Sequence, residues 1–305
     1  MDSQYRPLYG FCLSLTTAVL WGVLPLFLTV CLQAMDSQTI TLYRFVAAAI
    51  LVGAWLLYRR QLPKVHRYRK AIIVLAIACT FMLVVNYVFN VAGLQYLSPG
   101  SVQVFMQVAP FALMIGGVFL YKEHFSRLQF WGAGSLLIGL MLFFNQRLPQ
   151  IIASDSEDSI GIIFTFIAAV TWAGYALCQK PLMKNMSAMQ LTLIIYILGS
   201  FILLPFTSPF AIASINEVQG WALLFCCLNT FIAYGAFTEA MRVWYASRVS
   251  AVIATAPVFT FISMASAEAL FPGRFEQPPL GPLAIVGAAM VISGSVMAAL
   301  GRGKR

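Results

Sequence analysis

Charged side chains are scarce in this sequence, and acidic ones are scarcest. Only 10% of the 305 residues are charged, with 10 Asp and Glu against 19 Lys and Arg, whereas about a quarter of an ordinary soluble domain is charged. Histidine occurs only at His66 and His124, and no H-E-x-x-H, G-x-S-x-G, P-loop or Cys-x-x-Cys pattern is present. These absences argue against a water-soluble globule, an enzyme, a metal site and a cofactor.

The sequence is instead rich in long hydrophobic segments. Hydrophobic residues make up 61% of the chain, and they form runs long enough to cross a hydrocarbon core of about 30 Å as helices. The sequence therefore predicts an all-α polytopic membrane protein that contacts the lipid bilayer. We assign ten spans: 8–32, 38–58, 70–94, 98–121, 127–145, 160–180, 187–206, 219–241, 247–270 and 280–300. The six cysteines, all inside these spans, are interpreted as small packing residues.

The positive charges predict how the chain is oriented. With a cytoplasmic N-terminus, 16 Lys and Arg residues fall on the inner side and only Arg147 and Arg274 on the outer side, with Arg44 inside a span. Cytoplasmic loops carry this excess of positive charge in membrane proteins. We therefore expect a multi-pass protein of the inner (plasma) membrane with both termini in the cytoplasm. The net charge of +9 is then a topology signal, and no nucleic-acid partner is expected.

Similar residues occur in the same order in the two halves of the chain. "AVLWG" (18–22) aligns with "AVTWA" (169–173), Tyr87 with Tyr234, and Pro110 with Pro257. We divide the chain into a first five-helix repeat (1–145), an outer linker (146–159) and a second five-helix repeat (160–305). Five spans is an odd number, so the second repeat must be inverted. Inverted repeats are typical of secondary transporters, whose sites lie near the bilayer midplane.

One known family has the same motifs. The run from "NYVFNVAGLQYLSPGSVQVFMQVAPF" to "GLMLFF" (86–144), the "WG" of the first span and the "RF" of the second resemble the EamA-type branch of the drug/metabolite transporter (DMT) superfamily. The intramembrane "AP" in both halves, the helix end at Lys122 and Glu123, and the glycines after it are its most specific elements. The resemblance implies ten helices around a central cavity and the export of amino acids or other small metabolites.

A polar stripe runs along the fourth span. Gln103, Gln107 and Pro110 recur at steps of four and three residues, which places them on one helix face, and such a face in lipid must point into the protein. Proline cannot donate to its helix, so we expect a loosened span with a free carbonyl at Met106. Pro110 and its repeat mate Pro257 are predicted hinges, and the glutamines could line a cavity or hold helices together.

Further candidate substrate-binding residues are amides and aromatic rings inside the spans. The amides could bind amide, carboxylate or amine groups of a ligand, or tie helices together. The aromatic rings could stack on an apolar or cationic solute or belong to the core. Together with Gln103 and Gln107, the candidates are Trp21, Asn86, Asn90, Trp172, Tyr175, Asn229 and Tyr234.

Two charged residues are candidates for coupling or for structural roles. Arg44 lies inside the second span, where it could reach the surface or a partner in the interior. Glu239 lies at the inner end of the eighth span, three residues before Arg242, and a helix-end ion pair is the favoured interpretation.

The sequence as a whole predicts a secondary transporter, not an enzyme, that moves a small polar or amphipathic metabolite such as an amino acid by alternating access. A passive facilitator or channel-like exchanger for small solutes is the alternative. Small residues in the fifth and tenth spans, such as Ser135 with Gly139 and Ala284 with Ala288, could pack within one chain or form a homodimer.

Overall fold

A computed structural model gives the fold. It describes residues 6–65, 68–109, 126–143, 157–244, 252–273 and 281–300, together with residues 112, 116, 119, 120, 145, 249 and 275. Pro110, both histidines and most of the predicted linker (146–159) lie outside the described residues.

The described residues form helices joined by short turns. In chain order the α-helices are α1 (Pro7–Leu32), α2 (Ser37–Tyr58), α3 (Lys70–Gly93), α4 (Pro99–Phe105), α5 (Arg127–Phe143), α6 (Glu157–Leu182), α7 (Ala188–Leu203), α8 (Glu217–Val243), α9 (Ala256–Leu270) and α10 (Pro282–Leu300). Two 3-10 helices, Leu204–Phe206 and Ala211–Ser214, lie between α7 and α8.

Short polar side chains start several of these helices. Asp36 accepts a hydrogen bond from the backbone N–H of Thr39 at 2.7 Å, which satisfies one of the free donors in the first turn of α2. Ser187 and Gln190 at α7 form a reciprocal capping box, and Asn216 and Gln219 form the same arrangement at α8. These capping residues determine where each of the three helices begins.

The outer surface of the bundle is apolar, as lipid requires. Large side chains such as Ile50, Phe201 and Trp221 are more than half exposed, and patches of this kind mark a membrane-facing surface. Six stretches are long and apolar enough to cross a membrane: Pro7–Leu32, Ser37–Tyr58, Lys70–Gly93, Glu157–Gln179, Ala188–Phe206 and Glu217–Ala240. Together with the shorter apolar helices α5, α9 and α10, they show a polytopic helical membrane protein.

The helices of residues 1–145 pack chiefly against those of residues 160–305, and the pairs are reciprocal. Helix α1 packs on α8 and α3 packs on α6, while α2 pairs with α7, α4 with α9, and α5 with α10. The contact of α1 with α9 has its counterpart in that of α4 with α6, and the contact of α2 with α8 in that of α3 with α7. Each half therefore completes the packing of the other.

Glycines bring the backbones of α5 and α10 into direct contact. A Cβ atom added to Gly139 would lie 2.7 Å from the backbone nitrogen of Val291, and one added to Gly294 would lie 2.6 Å from the carbonyl oxygen of Gly132. Such distances leave no space for a methyl group. The hydroxyl of Ser135 also donates to the carbonyl oxygen of Met290 at 2.9 Å. The small residues of these two helices thus serve packing within the chain.

Candidate functional site

A central cavity lies between the two halves. Together with the space at its mouth it encloses about 1020 Å³. Helices α1, α2, α3, α4, α6, α8 and α9 and the residues before α9 contribute to its wall. The lining residues are Trp21, Leu24, Pro25, Arg44, Asn86, Tyr87, Asn90, Gln103, Met106, Gln107, Ala109, Trp172, Tyr234, Phe237, Ile253, Ala254 and Ala256.

Seven of the nine substrate-binding candidates predicted from the sequence lie in this wall, and Arg44 lies there as well. The other two lie elsewhere. Tyr175 is buried in the apolar core and accepts a hydrogen bond from Nε2 of Gln179. Asn229 is buried against α1, where its Nδ2 donates to the carbonyl oxygen of Leu20 at 2.7 Å.

Aromatic rings from both halves meet on one side of the cavity. The ring of Trp21 lies 5.2 Å from that of Tyr234 and 5.6 Å from that of Phe237, centroid to centroid. The ring centroids of Tyr87 and Tyr234, which the predicted repeat aligns, lie 5.9 Å apart. These are favourable distances for aromatic pairs, so the rings form a continuous wall that a flat or apolar part of a solute can contact.

Pro25 interrupts the backbone hydrogen bonds of α1 at the cavity wall. Proline has no N–H, so the carbonyl oxygen of Trp21, four residues earlier, receives no bond from its own helix at this point. Nε2 of Gln103 donates to that oxygen at 2.8 Å. One of the two predicted cavity glutamines therefore also serves as a tie between α4 and α1, so it fits both interpretations of the polar stripe.

The carbonyls on either side of Trp21 also accept side-chain donors. Leu20 accepts from Asn229 of α8 at 2.7 Å, and Gly22 accepts from the hydroxyl of Thr260 of α9 at 2.7 Å. Donors from three helices thus converge on one turn of α1. Neighbouring helices commonly supply such donors where a proline breaks a membrane helix.

Two further hydrogen bonds join the halves, and the repeat predicted from the sequence aligns the residues of one bond with those of the other. Nδ2 of Asn86 on α3 donates to the carbonyl oxygen of Ala168 on α6 at 2.8 Å. The hydroxyl of Thr17 on α1 contacts the carbonyl oxygen of Ala233 on α8 at 3.2 Å. In the repeat register Thr17 aligns with Ala168, and Asn86 aligns with Ala233. The two hydrogen bonds therefore join equivalent pairs of positions. The donor is the α1 residue in one pair and the α3 residue in the other.

Helical structure is interrupted before each intramembrane "AP". Helix α4 ends at Phe105, and Met106 and Gln107 form a turn. Ala254 and Thr255 form the corresponding turn, after which Pro257 lies in the first turn of α9, where its missing N–H removes no helical bond. The prediction of a free carbonyl at Met106 is wrong, because that oxygen accepts a hydrogen bond from the N–H of Ala109 at 2.9 Å. The donor is three residues further along the chain, not four as in an α-helix.

Arg44 is the charged group of the cavity. It is only 3% exposed, and its Nε donates to the hydroxyl oxygen of Thr230 at 2.9 Å. The hydroxyl hydrogen of Thr230 is given to the carbonyl oxygen of Cys226 at 2.8 Å, so its oxygen is left to accept. The guanidinium carbon lies 4.5 Å from the ring centroid of Tyr87, a cation–π distance. Arg44 is therefore held from α8 and α3 and does not reach the surface.

Two amides in the wall retain unused hydrogen-bonding capacity. Gln107 is 6% exposed, and its Oε1 is buried without a hydrogen-bond partner. Asn90 is half-buried, and its side-chain amide makes no hydrogen bond to any residue in the described ranges. Native interiors leave few such groups unpaired, so these two amides are candidates for contact with a bound solute.

The remaining candidates lie away from the cavity. Glu239 is half-buried near the end of α8 and is not part of the lining, and the side chain of Arg242 is not described, so their ion pair stays a prediction. The six cysteines are free thiols. Within the described ranges, no group of His, Cys, Asp and Glu could hold a metal ion.

Sequence reasoning missed the role of Pro25 and of the two residues that support Arg44. A proline deep in a 26-residue apolar helix is a signal that could have identified the first. The contact of Arg44 with Thr230 spans 186 residues and leaves no local pattern in the sequence.

Comparison with known proteins identifies the family. The sequence model of the EamA-like transporter family matches residues 8–145 and again residues 159–300. The uncharacterized inner membrane transporter YhbE of Escherichia coli strain K12 is 38% identical over 294 residues, which cover 96% of this chain and 91% of that protein. An uncharacterized transporter of Haemophilus influenzae is 33% identical over 298 residues, covering 98% of this chain and 97% of its own.

The fold also matches a solved structure. A crystal structure superposes on this chain with a TM-score of 0.65 at 15% sequence identity, covering 96% of this chain and 97% of its own. The family match, the named relatives and the apolar helices agree with the resemblance seen in the motifs and confirm it. This chain belongs to the EamA-like transporter family and is a membrane transporter.

Proposed function

We propose that this chain is a secondary transporter that exports a small polar or amphipathic metabolite, such as an amino acid, across the inner membrane by alternating access. The observation that carries the proposal is the central cavity, whose wall combines helices from both halves. Its polar atoms and aromatic rings are suited to a solute that has both polar and apolar parts. The export direction rests on the resemblance to the EamA-type family.

The internal repeat supports the alternating-access mechanism. The family model matches the chain twice, over residues 8–145 and 159–300, and the helix pairs between the halves are reciprocal. With five helices in each half, the second half enters the membrane from the opposite side. We therefore propose ten membrane-crossing helices in two inverted repeats, an architecture in which one part rocks against the other around a fixed site.

The breaks in α1, before α9 and after α4 support the same mechanism. All three lie in the cavity wall, at Pro25, at Ala254 and at Met106 with Gln107. Motion between two states requires a few positions that absorb the change in backbone angles. We propose these breaks, with Pro110 and Pro257, as the hinge positions.

Counterflow in proteoliposomes tests the proposal. Vesicles containing the purified protein are loaded with an unlabelled solute and diluted into the same solute in labelled form, using amino acids, nucleosides, polyamines and sugars in turn. A carrier exchanges the label inward transiently and above its equilibrium level, and the exchange saturates. Flux of any of these solutes that neither saturates nor overshoots would show the passive facilitator instead, and an absence of flux for all of them would overturn the proposal.

A cavity-filling variant links the flux to this cavity. Ala254 is 2% exposed and lines the wall, so Ala254→Phe should abolish counterflow. Val258, four residues further on, is 41% exposed on the outer surface, and Val258→Phe should leave it unchanged. Equal flux through both variants would place the pathway elsewhere.

A further inference from the structure

The connection between α2 and α3 carries a dense group of positive charges. From the end of α2 to the first residue of α3, the basic side chains in the described ranges are all exposed. They are Arg59, Arg60, Lys64, Arg69 and Lys70, here called the basic group. No acidic residue occurs between Asp36 and Glu123, and no member of the basic group forms an ion pair with a residue in the described ranges. This positive charge is therefore uncompensated within the described part of the chain.

The described parts of the connection are anchored to the rest of the protein. Nε2 of Gln190, which belongs to the capping box of α7, donates to the carbonyl oxygen of Gln61 at 2.9 Å. The N–H of Tyr68 donates to the carbonyl oxygen of Val65 at 3.1 Å, and Tyr68 packs against the hydrophobic core. These contacts hold the backbone beside Arg60 and beside Arg69, so the positive charges are presented from fixed positions.

The helix dipoles account for only some of these charges. A cation is stabilised near the C-terminus of a helix and destabilised near its N-terminus. Arg59 and Arg60 follow α2 and benefit from its dipole, whereas Arg69 and Lys70 lie at the start of α3, whose first turn has no acidic residue. An external anion would offset the unfavourable charge at this point.

Exposed apolar side chains border the basic group. Trp55 and Tyr58 lie in the last turn of α2, Leu62 lies in the connection, and all three are exposed. They continue the apolar outer surface of the bundle up to the positive charges. The guanidinium carbon of Arg59 lies 5.1 Å from the ring centroid of Trp55, a cation–π distance, and the N–H groups of this guanidinium donate to no residue in the described ranges.

A phospholipid with a negatively charged headgroup matches both parts of this surface. Its phosphate oxygens can accept charged hydrogen bonds from arginine and lysine, while its acyl chains can contact the exposed apolar side chains. A soluble anion lacks the apolar part, and a zwitterionic lipid lacks the net negative charge. Basic residues next to a membrane helix attract anionic lipids in this way. An excess of positive charge on one side of the membrane sets the orientation of the chain, but that role does not require the aromatic border.

We propose that the basic group and its apolar border form a binding site for an anionic phospholipid. The phosphate lies on the basic group, and the acyl chains lie along the end of α2 beside Trp55, Tyr58 and Leu62. The inference concerns a surface outside the central cavity and does not depend on the transport mechanism proposed above.

The test measures the apparent melting temperature of the purified full-length protein in a non-ionic detergent against lipid concentration, because binding to the folded state raises it. Dioleoyl phosphatidylglycerol is the anionic probe. Dioleoyl phosphatidylcholine, with the same acyl chains and no net charge, is its matched control, and glycerophosphoglycerol and inorganic phosphate supply the anion without acyl chains. We expect phosphatidylglycerol to stabilise the protein saturably, phosphatidylcholine to require at least about tenfold higher concentration, and the two soluble anions to have no effect.

Three results would overturn the inference. Equal potency of the two lipids would show that the headgroup charge plays no part. Stabilisation by the soluble anions at the same concentrations would show a phosphate site in place of a lipid site. Absence of stabilisation by phosphatidylglycerol would show that the surface binds no such lipid. All three comparisons use the unmodified protein, so they do not depend on a variant that folds.

Variants then assign the preference to the basic group. A basic residue near an anionic lipid surface contributes about fivefold in binding, so Arg59→Gln and Lys70→Gln should each raise the half-saturating concentration of phosphatidylglycerol about fivefold. Arg127 is the matched control, since it is exposed at the start of α5, which packs against α10; Arg127→Gln should leave that concentration unchanged. Equal losses in all three variants would indicate diffuse attraction to the whole basic surface and would overturn the assignment to one site.

Salt dependence provides a second readout that a purely structural role of these residues would not change. Between about 0.1 M and 1 M salt the screening length falls from about 10 Å to about 3 Å. The half-saturating concentration of phosphatidylglycerol should therefore rise with salt in the unmodified protein, and it should rise less in Arg59→Gln. A preference for phosphatidylglycerol that is the same at both salt concentrations would contradict binding through the basic group.

Discussion

Gln103 makes the hydrogen bond to the Trp21 carbonyl oxygen that Pro25 cannot make, at a distance of 2.8 Å. The backbone break in α1 and the side chain on α4 are thus parts of one arrangement at the cavity wall. Because the donor comes from another helix and not from the next turn, a change of backbone conformation at this point is tied to the position of α4.

Replacing Gln103 should lower the free energy of unfolding substantially only when Pro25 is present. Gln103→Leu leaves the Trp21 carbonyl unsatisfied, and we expect a loss of about 1–3 kcal/mol. In a Pro25→Ala background the new N–H can donate to the same oxygen, so the further loss should be below about 1 kcal/mol. Thermal or denaturant unfolding of the two single variants and the double variant measures the difference. Equal penalties in both backgrounds would show that the two residues are not coupled.

A methyl group on the α5 surface that contacts α10 should destabilise the protein. Gly139→Ala must push the backbone of α10 away, and overpacking of this kind costs about 1–3 kcal/mol. Gly134 lies on the same helix with nothing within 4 Å of its added Cβ, so Gly134→Ala should be neutral or slightly stabilising. Apparent melting temperatures of the two variants decide the matter, and a Gly139 variant as stable as the Gly134 variant would contradict the direct backbone contact.

Two buried amides should differ in their access to water. Gln107 lines the cavity and Asn229 is packed against α1, although both are less than a tenth exposed. On a background in which the six native cysteines are replaced, Gln107→Cys should react with a small polar thiol reagent and Asn229→Cys should not. Gel-shift labelling of intact membranes reports both. Reaction at position 229 without reaction at 107 would reverse the geometry proposed for the pathway.

The charge distribution predicts that both termini lie in the cytoplasm. Sixteen Lys and Arg residues lie on the predicted inner side and two on the outer side. A fluorescent protein fused after Arg305 should therefore fluoresce, and alkaline phosphatase inserted between residues 146 and 159 should be active. Phosphatase activity at the C-terminus, or fluorescence from an insertion in the linker, would invert the topology.

Much of the candidate site can be predicted from the sequence, because the repeat register and helix periodicity select positions that face inward. Trp21 and Trp172, which the predicted repeat aligns, both line the cavity, as do Gln103 on α4 and Gln107 in the turn that follows it. The binding roles of these residues remain proposals.

The rest depends on contacts between distant segments. Asn229 and Gln107 are both polar and both less than a tenth exposed, yet only Gln107 lines the cavity, because packing between distant segments decides which way each side chain faces. Similarly, the sequence is compatible with Arg44 reaching the membrane surface and with Arg44 binding a partner in the interior. The contacts with Thr230 and Tyr87 show that it binds in the interior.

The donors around Pro25 have a consequence for the order of biosynthesis. Helix α1 is made first, but the side chains that bond to Leu20, Trp21 and Gly22 are at positions 229, 103 and 260. At translation rates of about 5–20 residues per second, roughly ten to fifty seconds separate the emergence of Gly22 from that of Thr260. The Trp21 carbonyl, which Pro25 leaves without a helical donor, can therefore bond to Gln103 once α4 has been made, whereas the additional bond from Thr260 to Gly22 forms only after α9 has been made.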